Sequence, residues 1–428
     1  MSAVNELINH ITLPKFVKVH QLFDRNDLSQ EEIRSRIETA LKSPDLAGRI
    51  KPGQRICITG GSRGISNMPF VTKLLADYVK SQGASPFIVP AMGSHGGATA
   101  EGQKEILKSL GITEESMGCP ILSSMETVKV GHVDEADFDV HIDKNAAEAD
   151  GIIVLNRVKA HTSFQGPYES GLMKMLTIGL GKQHGAYICH SQGDDEMSYR
   201  IGLNGRAVIA TGKVIFGVAL LENAFDKTFD LAVLPAEQIP EEEPKLLEKA
   251  KAAMGRLYYD NCDILICRVL GKNFTGAGMD PNIVGRCVNP KLKMGITSQR
   301  IGVLDLSDES HGNATGMGRA DLASRRFYEK VSFDDTYPNA ITSYDMSAYR
   351  IPVIVDNDEE VLKAAVASCL KIDYENPRII LINNSLEIEH ILVSEGMLKE
   401  TKANQNLGIE SNPFYLEFDA EGNLLTKF

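Results

Sequence analysis

Apolar residues along the first 240 positions fall in short runs, separated by segments with helical spacing. Ser29-Gln-Glu-Glu32 has the capping-box pattern and predicts a helix to about Leu41. Pro52-Gly53 marks a turn, and residues 55–59 read as a strand. A glycine-rich loop, Gly60-Gly-Ser-Arg-Gly64, follows, and after Met68-Pro69 the spacing predicts a helix over 70–80. A second strand over 86–91 ends in Met92-Gly-Ser-His95-Gly-Gly97 and leads to a helix over about 99–110. Strand-like runs recur at 127–130, 138–142 and 151–155. Strands alternating with helices predict a parallel sheet covered on both faces.

Residues 158–193 break this rhythm: they are rich in Gly, His, Lys and Tyr. Beyond them, 214–221 and 230–234 read as strands. Ile239-Pro-Glu-Glu-Glu-Pro244 opens an amphipathic helix to about Arg256, and a fresh strand starts at 263–267. The second half repeats the same style, with strands at 301–306, 351–355 and 379–382 and a helix at 359–367. The expected fold class is therefore α/β, with two α/β domains of mostly parallel strands, residues 1–245 and 246–428. No internal repeat or low-complexity tail is present.

Composition narrows the function. The chain has 428 residues, 43% hydrophobic and 24% charged, an ordinary balance for a protein with real cores. Its net charge of −12 argues against nucleic acid as a partner, since phosphate binding needs a basic stripe. The 7 cysteines are scattered; Cys262 and Cys267 lack the second pair a zinc site requires. They read as reduced, mostly buried thiols. With no signal-peptide pattern at the N-terminus and no apolar stretch near the roughly 20 residues a membrane helix needs, a cytoplasmic protein without membrane contact is expected.

Several residue groups could carry chemistry. Thr59-Gly-Gly-Ser-Arg-Gly-Ile-Ser66 follows a strand and could cradle a phosphate on backbone N–H groups or present Arg63 to an anion; a plain turn is the bland alternative. His95 sits among glycines at the carboxyl end of a strand, where α/β sheets place ligands. His161 also lies just past a strand end. Two such imidazoles suggest acid and base groups around one pocket, as racemisation requires one for each face of a stereocentre. Lys174, between Leu172-Met173 and Met175-Leu176, reads either as a desolvated nucleophile or as a helix lysine reaching water. His190 follows sixteen residues later, with His184 competing as a metal ligand. His10, His20, His132, His141, His311 and His390 have no informative neighbours and read as structural or surface residues.

The order arginine loop, histidine loop, second histidine, lysine, histidine resembles the nickel-pincer-nucleotide-dependent lactate racemase family. The resemblance covers residues 55–190 and, more loosely, the rest. It implies two α/β domains with the active site in the cleft between them. It also implies a nickel-pincer nucleotide, a pyridinium mononucleotide with sulfur ligands to nickel, attached covalently through Lys174 and with His190 as the metal ligand. His95 and His161 correspond to the catalytic histidines and Arg63 to the substrate-orienting arginine. Gly60, Gly61 and Ser62 would meet the cofactor phosphate through backbone N–H groups. Lys272, in Leu270-Gly-Lys-Asn-Phe274, matches a lysine that grips the substrate carboxylate.

Two departures stand out. Gly60 replaces the family's aspartate three residues before the arginine, and the segment from His161 to Lys174 is about three residues longer. The implied reaction is inversion at C2 of a 2-hydroxy acid through a 2-keto acid, by proton-coupled hydride transfer. The implied partners are the small acid and the enzymes that make the cofactor. The absence of Trp and the abundance of Ser, Thr, Gln, Asn and Glu in the site region favour a sugar acid over lactate. The alternatives are a nicotinamide-dependent oxidoreductase on the Gly60–Gly64 loop and a non-catalytic binder of sugar acids or cofactor.

Overall fold

The strand Arg55–Gly60 leads through a seven-residue loop into the helix Met68–Ser81, and Ser85–Pro90 leads through a second loop into Ala100–Ser109. The expected helix at Ser29 is Gln30–Leu41, with both capping-box bonds formed. In the computed structural model, which describes residues 3–428 other than 288, 290 and 344, these elements build a five-stranded sheet. Its order is Ser85–Pro90, Arg55–Gly60, Gly151–Arg157, Val214–Glu222, Thr228–Pro235; the first four strands are parallel and the last is antiparallel. Strand residues alternate between two cores. Ile56, Ile58, Ile153 and Leu155 pack with the helices Gln30–Leu41 and Met68–Ser81. Cys57, Ile152 and Val154 pack with residues of 172–210 and with Leu247. Both faces are thus covered, which is why the strands read as continuous apolar runs.

The chain divides into two α/β units, Asp24–Met254 and Met1–Phe23 with Gly255–Phe428. This differs from the expected 1–245 and 246–428: the first 23 residues fall with the second unit. The reason is pairing. The strand Phe16–Gln21 runs antiparallel to both His390–Ser394 and Leu407–Ile409. It completes an eight-stranded sheet ordered Val353–Val355, Leu322–Ser324, Thr297–Leu306, Asn261–Leu270, Ile379–Ile382, His390–Ser394, Phe16–Gln21, Leu407–Ile409. The first five strands are parallel neighbours.

The runs at 127–130 and 138–142 are strands but lie outside the five-stranded sheet. They form a separate antiparallel hairpin, Thr127–Val133 with Phe138–Asp143. All seven cysteines are free, six of them buried. Among the described residues no helix is long and apolar enough to cross a membrane.

Candidate active site

Three loops leave the carboxyl ends of three adjacent strands. The loop after Arg55–Gly60 carries Ser62 and Arg63, that after Ser85–Pro90 carries His95, and that after Gly151–Arg157 carries His161. From Arg55–Gly60 the chain crosses to the strand on one side; from Gly151–Arg157 it crosses to the strand on the other. Between these two strands lies the switch point where open α/β sheets bind ligands.

Short bonds join the loops. The Ala91 N–H donates to the Gly60 carbonyl at 2.7 Å. His95 Nδ1 lies 2.5 Å from Ser62 Oγ. The Gly93 N–H reaches the Gly179 carbonyl at 3.3 Å, so the His95 loop is tied to the segment that joins Lys174 to His190. Gly179 permits that approach, because a Cβ there would sit 2.8 Å from the Ala91 oxygen. His95 itself is exposed.

The His161 loop is closed by paired backbone bonds between Lys159 and Ser170. Buried Glu169 organises its interior, accepting from the His161 N–H at 2.6 Å and the Gly166 N–H at 3.3 Å while pairing with Lys251 Nζ at 2.9 Å. The Ser163 N–H donates to His161 Nδ1 at 3.1 Å. A neutral imidazole accepting at Nδ1 carries its proton at Nε2. The fully buried Phe164 ring is the shared platform: His161 stacks on it at 4.1 Å, and Lys174 Nζ lies 5.6 Å from its centroid.

Lys174 ends the short helix Leu172–Lys174, which passes directly into a π-helical turn, Met175–Gly179. Such turns concentrate at functional sites. The helix starts on a buried carboxylate, Glu243, whose Oε2 accepts from the Met173 N–H at 2.9 Å. Gly171 leaves room for it, since a Cβ there would lie 2.3 Å from Glu243 Oε1. Burial pushes the Glu243 carboxyl up to about 7, against the pull of the Met173 and Leu172 N–H groups.

The basic groups share one electrostatic environment. Burial brings Lys174 down to about 8; Arg63 adds to this, and Glu169 and Asp194 oppose it. Burial, then the positive charges of Lys174 and His190, hold His161 well below the usual imidazole range. His190 is lowered by burial and then by Lys174. Arg63 is exposed at its surface but hemmed in by protein, and desolvation followed by Arg157 lowers it; a guanidinium still keeps its charge at any ordinary pH. The result is two imidazoles held neutral beside two cations, suited to an anion, a metal ion or a proton in transit. Cys189, pushed up to about 12 by burial, stays a thiol.

Arg63, His161, Lys174 and His190 therefore come together, and His95 joins them through Ser62. Gly60, at the strand end, and Gly61 lie in the same loop; a Cβ on Gly61 would touch Met175 and Asn156. His184 does not join: its ring packs against His141 at 4.2 Å. Lys272 belongs to the other unit, where its Nζ donates to Asn339 Oδ1 at 2.6 Å.

Glu169, Glu243 and the Lys182–Asp143 pair also shape the site, and no sequence motif points to them. Lys182 is fully buried. Its Nζ donates to the Pro90 carbonyl and to Gln103 Oε1 at 3.0 Å, and pairs with Asp143 Oδ2 at 3.1 Å. Gln103 in turn donates to the carbonyls of Gly93 and His95. This buried chain fixes the His95 loop from beneath.

The fold has a counterpart among solved structures. It is similar to the lactate racemase apoprotein from Thermoanaerobacterium thermosaccharolyticum, with a TM-score of 0.51 over 87% of this chain and 99% of that one, at 12% sequence identity. The likeness is one of fold. The profile of a family described as a domain of unknown function (DUF362) matches residues 56–254, a span that includes every candidate residue except Lys272. No curated protein matches the chain.

Proposed function

We propose that this protein inverts C2 of a 2-hydroxy acid, a sugar acid rather than lactate, with a nickel-pincer nucleotide held by Lys174 and His190. The observation that carries the reading is the mutual proximity of Arg63, His161, Lys174 and His190, with Phe164 packed against His161 and Lys174. The residues fit the cofactor. A lysine drawn to about 8 has an amine available as a nucleophile near neutral pH. A buried imidazole kept neutral is a donor suited to nickel. Ser62, with Gly60 and Gly61, offers backbone N–H groups to a phosphate. When bound, the nucleotide supplies a carbon that accepts and returns a hydride.

The chain's own residues bind, orient and move protons. Arg63 grips the substrate carboxylate, and two parallel N–H bonds would fix its plane. His95 donates from Nδ1 to Ser62 Oγ in the tautomer that puts its basic lone pair at Nε2, the atom that takes the hydroxyl proton. His161 holds its proton at Nε2 and offers it as a hydrogen bond to the C2 oxygen. Both start neutral, so the proton that His95 takes is the one available to go back to the C2 oxygen when the 2-hydroxy acid re-forms.

The test is an intact mass of the full-length protein co-produced with cofactor-making enzymes. A mass increment matching a nickel nucleotide is expected, and Lys174→Ala should lack it. Chiral chromatography of a panel of 2-hydroxy acids then identifies the substrate. No increment, where a lactate racemase produced identically carries one, overturns the proposal.

A further inference from the structure

The helix Lys182–His190 touches the candidate site at both ends. His190 closes it, and Lys182 opens it beneath the His95 loop. Lys182 Nζ donates to Gln103 Oε1 at 3.0 Å, with the Pro90 carbonyl and Asp143 Oδ2 as its other partners. Gln103 stands on the helix Ala100–Ser109 and is fully buried. Its Nε2 donates to the Gly93 carbonyl at 2.8 Å and to the His95 carbonyl at 3.2 Å. The orientation of this amide is dictated. An ammonium carries donors only, so it must meet the amide oxygen, and the NH2 group is thereby turned toward the loop. Asp143, which balances the Lys182 charge, is held to the same place: its N–H donates to the Leu180 carbonyl at 2.7 Å.

The His95 loop depends on such ties. Glycine stands at 93, 96 and 97, and Ala98 holds a φ of +54°, a region that L side chains disfavour. The imidazole is exposed, and its Nδ1 meets Ser62 Oγ at 2.5 Å. An exposed ring on such a loop keeps one contact only while its backbone is fixed. Gln103 fixes it at Gly93 and at His95 itself.

We propose that Gln103 is a positioning residue for His95, and that through Lys182 it locks the His95 imidazole in place relative to the helix that carries His190. The part Gln103 plays in turnover rests on the racemase reading above; its hold on His95 belongs to the chain without cofactor. Gln103 is sealed under the loop and acts only through His95. A catalytic group displaced by about 1 Å can lose on the order of 100-fold in rate, so a small shift of the loop suffices.

Gln103→Glu isolates the two donated bonds. It keeps the shape and the acceptor for Lys182, and sets a carboxylate oxygen against the carbonyls of Gly93 and His95. The full-length protein without cofactor, nitrogen-labelled at histidine, is read by NMR at about pH 8, where an exposed imidazole is neutral. The parent should show His95 with its proton at Nδ1, held by Ser62. Gln103→Glu should show a mixture of tautomers at His95, with the His161 and His190 signals as in the parent; general loosening of the fold would move all three. Gln103→Met, of similar length and without a donor, should give the same change and reads the loop if the glutamate variant does not fold. In cofactor-loaded protein kcat should fall at least about tenfold, with KM within a few-fold. His95 signals identical to the parent's in the folded variants would overturn the proposal, and so would an unchanged kcat in a variant whose His95 signal has moved. A parent that turns over no 2-hydroxy acid, with the His95 change still seen on substitution, refutes the racemase reading and supports the hold of Gln103 on His95.

Discussion

Glu243→Gln probes the carboxyl that supports the helix bearing Lys174. The side chain is buried, with Oε2 accepting from the Met173 N–H. Its carboxyl is raised from 4.5 to about 7 by burial. In the unfolded chain it titrates near 4.5. Between these values the folded protein keeps a proton that the unfolded chain has released, so folding stability falls as pH rises through the window. The stability contributed by this group is fully present below 4.5 and lost once the pH passes about 7. A displacement of roughly 2.5 pH units, at about 1.36 kcal/mol each, comes to about 3 kcal/mol. Glutamine has the same shape, keeps an oxygen for the Met173 N–H and has no proton to lose. Stability relative to the parent should therefore shift in the variant's favour by up to about 3 kcal/mol between pH 4.5 and pH 8. Urea unfolding of both proteins across that range, followed by far-UV circular dichroism, measures the difference, and groups common to both cancel. A difference that does not change with pH would refute the assignment of a buried, proton-holding Glu243.

Three further outcomes are expected. Lys182→Met strands the buried Asp143 carboxylate and leaves Gln103 and the Pro90 carbonyl without their donor, which should cost about 3–5 kcal/mol; a loss under about 1 kcal/mol in denaturant unfolding would show that the pair is not a structural anchor. Nitrogen NMR of histidine-labelled protein should find His161 neutral at pH 6 with its proton on Nε2, and a protonated Nδ1 there would remove the Ser163 bond from the argument. Arg63→Ala should raise the KM for the 2-hydroxy acid by at least about tenfold, the size of one charge-assisted bond; an unchanged KM removes Arg63 from the carboxylate contact proposed for it.

Much of the fold was legible because its signals are local. The capping box at Ser29 needs only four residues, and the helix Gln30–Leu41 begins where it says. Strand, glycine loop and helix recur within about thirty residues, so Arg63, His95 and His161 could be placed at strand ends before any pairing was known. Pairing is where the reading stopped. Nothing near residues 16–21 reveals partners at 390–394 and 407–409. For the same reason His20 and His390 read separately as structural or surface residues, and nothing near either sets them opposite each other. The runs at 127–130 and 138–142 predict strands but do not say that they pair with each other.

The charged residues that support the site were missed for a different reason, and one of them left a usable trace. In Ile239-Pro-Glu-Glu-Glu-Pro244 the acidic run looks like a solvated helix start. Yet Glu243 is four residues after Ile239 and four before Leu247, and all three are buried, with Ala250 continuing the line. Three and four are the spacings of a single helix face. Glu241 and Glu242 fall off that face and can be ordinary surface acids; Glu243 cannot leave it without turning the whole stripe outward. A carboxylate fixed on an apolar stripe must find donors inside the protein, and here they are the N–H groups at the start of the Leu172–Lys174 helix. The same test fails for Lys182. It stands in no apolar stripe, and its burial depends on a backbone turn with φ of +53° and on acceptors from three other segments. A charge that breaks a periodicity can be found by reading along the chain; one enclosed by tertiary contacts becomes visible only when those contacts are in place.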